Sequence, residues 1–402
     1  MGGKAWSVYH ILQRNERDIY RGSETMSTWK GKYVIGLTGN IATGKSVVRT
    51  MLEHLGAYGI DADALAHRAF AKGAPGYQPV VEEFGKWILD SDGQVDRAKL
   101  SRIVFADPDA LMRLEAIVHP LVEQAVDVLV RRSRQKVIVI EAIKLLASGL
   151  RPACDSVWVT YVAVDVQMAR LMQKRGMSEK VARQRIMAQP SHGEKMAAAD
   201  LVIRNDGSFE ETWKQVVKAS QKYFPMAEAA PERHEAAVRG ELVVEKGGPQ
   251  QADEIAAYLT QHSDDGTEYD RADVMASFGE KAFLLLRIDE RLVGLAGWQV
   301  ENLVARTADI FLESDLSLDE SMWILMKEIE KASRDLQCEA LLLFLSPEMA
   351  EQGSVWKKLD FQDRSVESLG VRAWQEAAKE SMPPETVMMF KQLRKDRVLR
   401  PV

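Results

Sequence analysis

The sequence Gly39-Asn40-Ile41-Ala42-Thr43-Gly44-Lys45-Ser46 decides the fold of this chain, because it has the pattern G-x-x-x-x-G-K-[ST]. The glycines of this pattern allow a tight loop whose backbone N–H groups surround phosphate oxygens, and the next helix adds its dipole. Its lysine reaches the β- and γ-phosphates, and its serine hydroxyl binds Mg²⁺. A short apolar run precedes the loop at residues 33–37, and apolar residues at helical spacing follow it from Val47. We therefore predict that the loop and Val47 bind a nucleotide, with Ser46 as the metal ligand. The alternative is a glycine turn that binds nothing.

The composition sets limits on the class of protein. The chain has 402 residues, which predicts two domains. Its formal net charge of −6 offers no basic surface for nucleic acid. It contains no apolar run of the roughly 18 residues that a membrane span needs. Cys154 and Cys338 cannot build a disulfide framework or a metal site by themselves, so we expect a cytoplasmic protein. Self-association into a homo-oligomer is left open.

Residues 33–223 show strand and helix patterns in alternation, which predicts βαβ units and a parallel sheet. Together with the phosphate loop this predicts an α/β domain of the P-loop nucleoside triphosphate hydrolase type at residues 31–224. Residues 1–30 before them have neither the apolar core nor the cleavage site of a secretory signal, and are predicted to be an N-terminal extension. The predicted strands are 34–37, 57–60, 137–140, 157–162 and 201–203, with helices at 109–118 and 122–134 on either side of His119-Pro120. Ligands of such sheets bind beyond the carboxyl ends of the strands.

Two acids, Asp61 and Asp63, follow the second predicted strand. One of them could accept a proton from an attacking hydroxyl group, and one could hold Mg²⁺ through water. Asp is also favoured at helix N-termini, so a capping role for either acid is an equal alternative.

Basic residues recur at helical spacing between residues 168 and 195. Such a pattern is typical of a solvated helix face. In a phosphoryl-transfer enzyme it also fits a helical lid that supplies positive charge and excludes water, which we favour here. The residues are Arg170, Lys174, Arg175, Arg183, Arg185 and Lys195.

Residues 33–220 resemble the dephospho-coenzyme A kinases, because a succession of short motifs occurs in the order of that family. The motifs are Gly36-Leu37-Thr38-Gly39 with Gly44-Lys45-Ser46, Ile60-Asp61-Ala62-Asp63, Phe84-Gly85, Asp96-Arg97, Val104-Phe105, His119-Pro120, Ala199-Asp200 and Val202-Ile203 with Asn205. The resemblance implies an enzyme that transfers the γ-phosphoryl group of ATP to the ribose 3′-hydroxyl of dephospho-coenzyme A.

The resemblance also implies roles for single residues. Asp63, or its neighbour Asp61, would be the base, and Lys45 and Arg175 would neutralise the transferred group. Asn205 and Gly207 would lie near the adenine of ATP. The acceptor side would include Phe84, Arg97, His119 and Glu141.

One segment departs from that family. After the third strand the family has Asp-x-Pro-Leu-Leu-Phe-Glu, whereas this chain has Glu141-Ala142-Ile143-Lys144-Leu145-Leu146-Ala147. Lys144 could bind an anionic group of the substrate or point into solvent. Two alternatives to the kinase function follow, namely a P-loop kinase with another acceptor and a non-catalytic sensor of ATP or coenzyme A.

The second half begins after a predicted linker at residues 225–248, and residues 249–402 form a second predicted domain. Its predicted strands are 242–244, 282–288, 291–300, 306–312 and 340–345, with helices at 252–261 and 319–336. A helix at 353–361 leading to a last strand is also predicted, followed by a solvated basic tail at 391–400. This order, with Ile288-Asp289-Glu290-Arg291 as a turn and the phrase Val355-Trp356-Lys357-Lys358-Leu359-Asp360-Phe361, resembles the acetyl-coenzyme A-dependent N-acyltransferase (GNAT) fold, an α+β fold. The pyrophosphate-binding stretch of that family should fall at residues 315–321, where acids replace the glycines. We therefore expect a degenerate, non-catalytic version of the fold.

Overall fold

The computed structural model describes residues 28–189, 192–222, 240–263, 266–351, 354–395 and 398–399. These residues belong to two compact units that are each discontinuous in sequence. The first, called here the nucleotide unit, combines Met1–Asp63 with Gln135–Pro225. The second combines Ala64–Arg134 with Met226–Val402. Most of the predicted N-terminal extension lies outside the described residues, as does most of the predicted linker.

The first half of the chain alternates strands and helices as predicted. In chain order its elements are β1 (Tyr33–Gly39), α1 (Lys45–His54), β2 (Tyr58–Asp61), α2 (Ala62–Ala69), α3 (Tyr77–Phe84), α4 (Arg97–Ala106), α5 (Pro108–Arg132), β3 (Val137–Glu141), β4 (Ser156–Tyr161), α6 (Val164–Arg175), α7 (Glu179–Met187), α8 (His192–Ala197), β5 (Leu201–Arg204) and α9 (Phe209–Ser220).

The nucleotide unit is built on a five-stranded sheet with the order β2-β3-β1-β4-β5. Every neighbouring pair is parallel, which confirms the predicted parallel sheet. Strands β1 and β3 are buried along almost their whole length, as is usual for a parallel sheet. Helix α1 buries Val48, Met51 and Leu52 in the core on one face. The register sets Leu37 and Asp61 level with Glu141, so the strand ends that carry the acids meet at one edge of the sheet.

Helix α5 corrects one prediction. Residues 109–118 and 122–134 were expected to form two helices separated at His119-Pro120, but Pro108–Arg132 is a single helix with Pro120 inside it. A proline costs the helix one hydrogen bond and introduces a clash. The prediction was wrong because the buried stripe continues past the proline through Val118 and Val122, and tertiary packing of such a stripe stabilises helices in proteins more than propensity does.

The second half of the chain forms a mixed sheet. In chain order its elements are β6 (Leu242–Gly247), α10 (Ala252–Gln261), α11 (Arg271–Ser277), β7 (Ala282–Ile288), β8 (Arg291–Glu301), β9 (Val304–Leu312), α12 (Leu318–Asp335), β10 (Ala340–Leu345), α13 (Pro347–Glu351), α14 (Ser354–Lys358), β11 (Gln362–Asp363), α15 (Arg372–Ser381) and β12 (Val387–Gln392).

This sheet has the strand order β11-β12-β10-β9-β8-β7-β6. All pairs are antiparallel except β9 with β10, which is parallel. The β9–β10 pairing stops at Thr307 and Leu343, although β9 continues to Leu312. The sheet is thus an antiparallel arrangement with one parallel pair, which makes it a mixed sheet. Two apolar clusters cover the sheet, and both draw only on residues 242–393.

The end of the chain differs from its prediction as a solvated basic tail. Lys391 lies in β12 and is only 7% exposed. Its ammonium group donates to Glu330 Oε2 at 2.8 Å and to the Leu359 carbonyl at 2.6 Å. The sequence pattern does not reveal this burial, because a lysine can bury its long aliphatic chain while its ammonium group pairs with acceptors inside the protein.

No helix within the described ranges is both long enough and apolar enough to cross a membrane.

The second unit is held together by a buried ion pair between segments far apart in sequence. Arg68 in α2 donates to Glu339 Oε2 at 2.6 Å, and Glu339 is fully buried. The same guanidinium donates to the carbonyl of Asn302 at 2.7 Å. Asn302 and Leu303 have φ of 53° and 62°, so the arginine also holds the tight turn between β8 and β9. The helical segment 64–134 and the mixed sheet therefore share a charged contact from which water is excluded.

Replacing Arg68 by Met should destabilise the second unit, because the buried carboxylate of Glu339 would lose its counter-charge. Breaking a buried pair from one side costs about 3–5 kcal/mol. Urea unfolding followed by tryptophan fluorescence would measure the loss. The control is Arg113→Met, because Arg113 is half exposed and pairs only with the surface acids Glu83 and Asp107. Equal unfolding midpoints for the two variants would contradict the prediction.

Candidate active site

The loop after β1 has the conformation of a phosphate cradle. Gly44 has a φ of 83°, and a Cβ atom added there would lie 1.9 Å from Asn205 Nδ2. A Cβ atom on Gly39 would lie 2.2 Å from Thr160 Oγ1. Neither position therefore has room for a side chain. Ala42 adopts a φ of 59°, a conformation that costs an L-residue about 1–2 kcal/mol.

The carbonyl groups of residues 39–43 in this loop are all held by hydrogen bonds. The five consecutive carbonyls from Gly39 to Thr43 each accept a hydrogen bond from a side chain. The donors are Lys195 to Gly39 (3.2 Å), Thr43 to Asn40 (2.8 Å), Gln167 to Ile41 (2.7 Å), Arg170 to Ala42 (3.3 Å) and Asn205 to Thr43 (3.1 Å). Two amides of the loop are also engaged, because the Ile41 amide donates to Gln189 Oε1 at 2.7 Å and the Thr43 amide to the Asn40 carbonyl at 3.3 Å. The other amides of the tight loop are the ones expected to face an anion.

Asn205 and Arg170 form the outer support of the loop. The side-chain amide of Asn205 donates to the Thr43 carbonyl, and its oxygen accepts from the Thr212 hydroxyl at 3.0 Å. Arg170 links the two segments, because it donates to the Asn205 carbonyl at 2.6 Å as well as to Ala42. The structure thus places Asn205 against the backbone of the loop.

The acids at the sheet edge surround the start of α1. Ser46 Oγ donates to Glu141 Oε1 at 2.9 Å, and Arg49 Nε donates to Glu141 Oε2 at 2.9 Å. Burial would lower the pKa of Arg49, but Glu53, Glu141 and Asp61 raise it above its ordinary value. Glu141 was predicted on the acceptor side, and its carboxylate lies beside the predicted metal ligand Ser46.

Asp63 is a partly desolvated carboxylate in the first turn of α2. Its Oδ2 accepts a hydrogen bond from the Ile143 amide at 2.9 Å. Burial raises the pKa of Asp63 above its ordinary value, and this effect outweighs the Ile143 hydrogen bond and Lys45, which lower it. Asp63 is therefore a stronger base than a solvated aspartate, with two cations, Lys45 and Lys195, close enough to act on it.

Lys195 is a buried cation, and it is one of the basic residues predicted to belong to a helical lid. Only 5% of it is exposed, and it donates to the carbonyls of Gly39 at 3.2 Å and Ile143 at 2.9 Å. Burial and the nearby Lys45 lower the pKa of Lys195 to about 8. Since Ile143 also binds Asp63, Lys195 connects the phosphate loop to the segment that holds the candidate base.

The remaining predicted site residues lie in other places. The backbone of Arg175 ends α6, but its side chain is outside the described part of the structure. Phe84, Arg97 and His119 belong to the helical segment of the second unit. Gly207 lies next to Glu211, whose Oε2 would be 1.8 Å from an added Cβ atom. Lys144, the departure from the family pattern, is exposed.

Replacing Gly44 by Ala should weaken ATP binding by roughly tenfold or more, because the methyl group would displace Asn205 and misalign the loop, and small misplacements at such sites are costly. Calorimetric titration with ATP measures the change. Gly73→Ala is the matched control, because Gly73 has a φ of 81° but no atom within 4 Å of an added Cβ. If both variants bind ATP like the parent chain, the loop is not the nucleotide site.

Known proteins are similar in sequence to the first half of this chain. The family described as dephospho-CoA kinase matches residues 33–211. The dephospho-CoA kinase of Geobacter sulfurreducens is 42% identical over 195 residues, which cover 48% of this chain and 99% of that protein. The enzyme of the same name from Geobacillus kaustophilus is 45% identical over 187 residues, which cover 46% of this chain and 92% of that protein.

Among solved structures, the paia N-acetyltransferase of Thermoplasma acidophilum, in complex with coenzyme A, covers 38% of this chain and 99% of its own length. Its sequence identity is 11% and its TM-score 0.29. In the first half of the chain, the site geometry agrees with the match to two relatives over nearly their whole length. The features of that geometry are the phosphate loop and the acids beside it. The chain belongs to the dephospho-CoA kinase family, the enzymes that phosphorylate dephospho-CoA with ATP.

Proposed function

We propose that this chain transfers the γ-phosphoryl group of ATP to the ribose 3′-hydroxyl of dephospho-CoA, with Asp63 as the general base. The observation that carries this proposal is the position of Asp63, a partly buried carboxylate near Lys45 and joined through Ile143 to Lys195. A base of raised pKa takes up a hydroxyl proton more readily than a solvated aspartate does. Asp61 is the alternative base, one residue before α2.

The cations of the site neutralise the charge that phosphoryl transfer spreads over the equatorial oxygens. Lys45 begins α1, and its ammonium group lies 3.5 Å from the Asn40 carbonyl within the loop. Lys195 supplies a second positive charge from the helix α8. Arg175 is proposed as a third cation, from the end of α6. Because Lys45 and Lys195 are buried, they act in a medium where charges are screened less than in water.

The residues at the start of α1 fit a magnesium ion that accompanies ATP. Mg²⁺ takes oxygen ligands and needs only one or two from the protein, because phosphates and water complete its shell. We propose that Ser46 supplies its hydroxyl and that Glu141, hydrogen-bonded to it, supplies a carboxylate directly or through water. When bound, the ion would neutralise the β- and γ-phosphates. Asp61 lies level with Glu141 in the sheet and adds negative charge there.

We propose that the ATP site consists of Gly39, Asn40, Ile41, Ala42, Thr43, Gly44, Lys45, Ser46 and Val47, with Asn205 as its support. The acceptor site takes residues from the helical segment 64–134, which carries Phe84, Arg97 and His119. Phe84 is buried at the end of α3, and Arg97 is the first residue of α4. The cytoplasm is proposed as the compartment, in agreement with two free cysteines that are both buried.

We propose that the acyltransferase-like half does not transfer acetyl groups. The first turn of α12, where that fold would bind a pyrophosphate, carries Asp319 and Glu320. Asp319 is hydrogen-bonded by the Ser354 hydroxyl, and the Ser317 hydroxyl accepts from the Glu320 amide at 3.4 Å. The helix end is thus capped by its own side chains and repels an anion.

Purified protein should release ADP from ATP in the presence of dephospho-CoA, and Lys45→Ala should abolish that release. Lys45 is chosen because its charge acts on the transferred phosphoryl group. Replacing its side chain by that of alanine leaves the backbone of this position in α1. A coupled assay with and without dephospho-CoA gives the measurement, and Lys218→Ala serves as a control at an exposed lysine on α9. Turnover with another alcohol only would show a kinase of different specificity. Nucleotide binding without any turnover would show a sensor.

Asp63→Asn should lower kcat by roughly 10²-fold or more while ATP affinity stays near that of the parent chain. The asparagine oxygen can still accept from the Ile143 amide, so the local fold is kept. The acid limb of the kcat profile should lie above the ordinary aspartate value of 3.8, because burial raises the pKa of Asp63 and turnover needs its ionised form. Asp61→Asn is the comparison. Normal turnover of Asp63→Asn, with loss in Asp61→Asn, would transfer the role to Asp61.

A further inference from the structure

The helical segment 64–134 is bound by charged pairs to the acyltransferase-like sheet of the same unit. Besides the buried pair of Arg68 with Glu339, there are two pairs that end on helix α15. Arg372 lies 3.5 Å from Asp90 Oδ2, and Glu376 Oε2 lies 3.4 Å from the guanidinium of Arg97. The segment that carries the proposed acceptor residues thus contacts a helix that belongs to the second half.

Helix α15 presents these two charges in a fixed geometry. Its apolar face packs into the core through Trp374, Ala377 and Ala378. Arg372 and Glu376 are one turn apart and are themselves paired at 2.8 Å. The carboxylate of Glu376 is therefore held between two guanidinium groups, one from its own helix and one from α4.

The position of Arg97 explains why this contact bears on the kinase reaction. The resemblance places Arg97 on the acceptor side, and dephospho-CoA carries a pyrophosphate, an anion that a guanidinium group binds well. The carboxylate of Glu376 pairs with that guanidinium group and so occupies part of its capacity to bind an anion. His67 lies in the same group, because Arg97 and Glu376 both act on it. An anionic acceptor would have to draw Arg97 away from Glu376.

One matched relative has almost no length left for a counterpart of this helix. The Geobacter sulfurreducens enzyme is covered over 99% of its length by 195 residues, which are 48% of this chain. The family itself matches only residues 33–211, and α15 lies far beyond them. The contact between Arg97 and Glu376 is therefore an addition to the kinase that this chain makes.

We propose that Glu376 lowers the affinity of the kinase for its acceptor by competing for Arg97, so that the acyltransferase-like half tunes the kinase reaction. The proposal rests on the proposed function, because it takes Arg97 as an acceptor-binding residue. Glu376 is a positioning residue that acts through Arg97. Its effect is modest, because both partners are partly exposed and such pairs are weak.

The test is the dissociation constant of dephospho-CoA, measured by calorimetry on the full chain, together with KM and kcat. Glu376→Gln should tighten dephospho-CoA binding by roughly two- to fivefold, the factor that an exposed ion pair supplies. KM for ATP and kcat should not change. The matched control is Glu380→Gln on the same helix, because Glu380 lies 3.9 Å from Arg306 and does not face Arg97.

A double variant separates competition from a general loosening of the fold. In an Arg97→Gln background, Glu376→Gln should no longer alter dephospho-CoA binding, because no guanidinium remains to be released. An equal gain in both backgrounds would overturn the proposal, as would unchanged binding in the single variant. A gain in binding without phosphoryl transfer would support the role of Glu376 and contradict the proposed function. Phosphoryl transfer together with unchanged dephospho-CoA binding in Glu376→Gln would support the proposed function and contradict the role of Glu376.

Discussion

A phosphate loop can present its amides to an anion only if its carbonyls are satisfied elsewhere. Here five side chains supply that satisfaction, and four of the donors come from segments distant in sequence, namely Gln167, Arg170, Lys195 and Asn205. The shape of the loop therefore depends on helices α6 and α8 and on the end of β5. A buried carbonyl without a partner would cost about 1–3 kcal/mol, so each donor contributes to the shape of the site.

The sequence was sufficient where the signal is local. The spacing of Gly39, Gly44 and Lys45 predicted the loop, and apolar runs predicted all five parallel strands to within two residues at each end. It failed where burial depends on distant partners. Lys195 has the spacing of a solvated helix face, and only the carbonyls of Gly39 and Ile143 make it an interior residue. Pro120 has the signature of a helix boundary, and packing overrides it.

The second half illustrates the same limit on a larger scale. Its strands 282–288 and 340–345 were predicted without error, because alternating or continuous apolar runs are visible in one chain. Its relation to helices near residue 68 was not predictable, because an arginine on α2 and a glutamate before β10 give no sign of their contact. Helix α15 was also missed, although its buried Trp374, Ala377 and Ala378 lie at helical spacing. A last strand was predicted without bounds, and β12 overlaps the segment that was expected to be a solvated tail. The domain boundaries at 31–224 and 249–402 remain a proposal beside the two units of the structure.

The discontinuous second unit has a consequence for folding during synthesis. Arg68 and its partner Glu339 are separated by 271 residues along the chain. At a translation rate of about 5–20 residues per second, the helical segment waits roughly 15 to 50 seconds before its counter-charge leaves the ribosome. During that interval the nucleotide unit can be completed, because all of its strands precede β6. The order of synthesis thus gives a nascent kinase whose helices α2 to α5 have not yet met the sheet that they later contact.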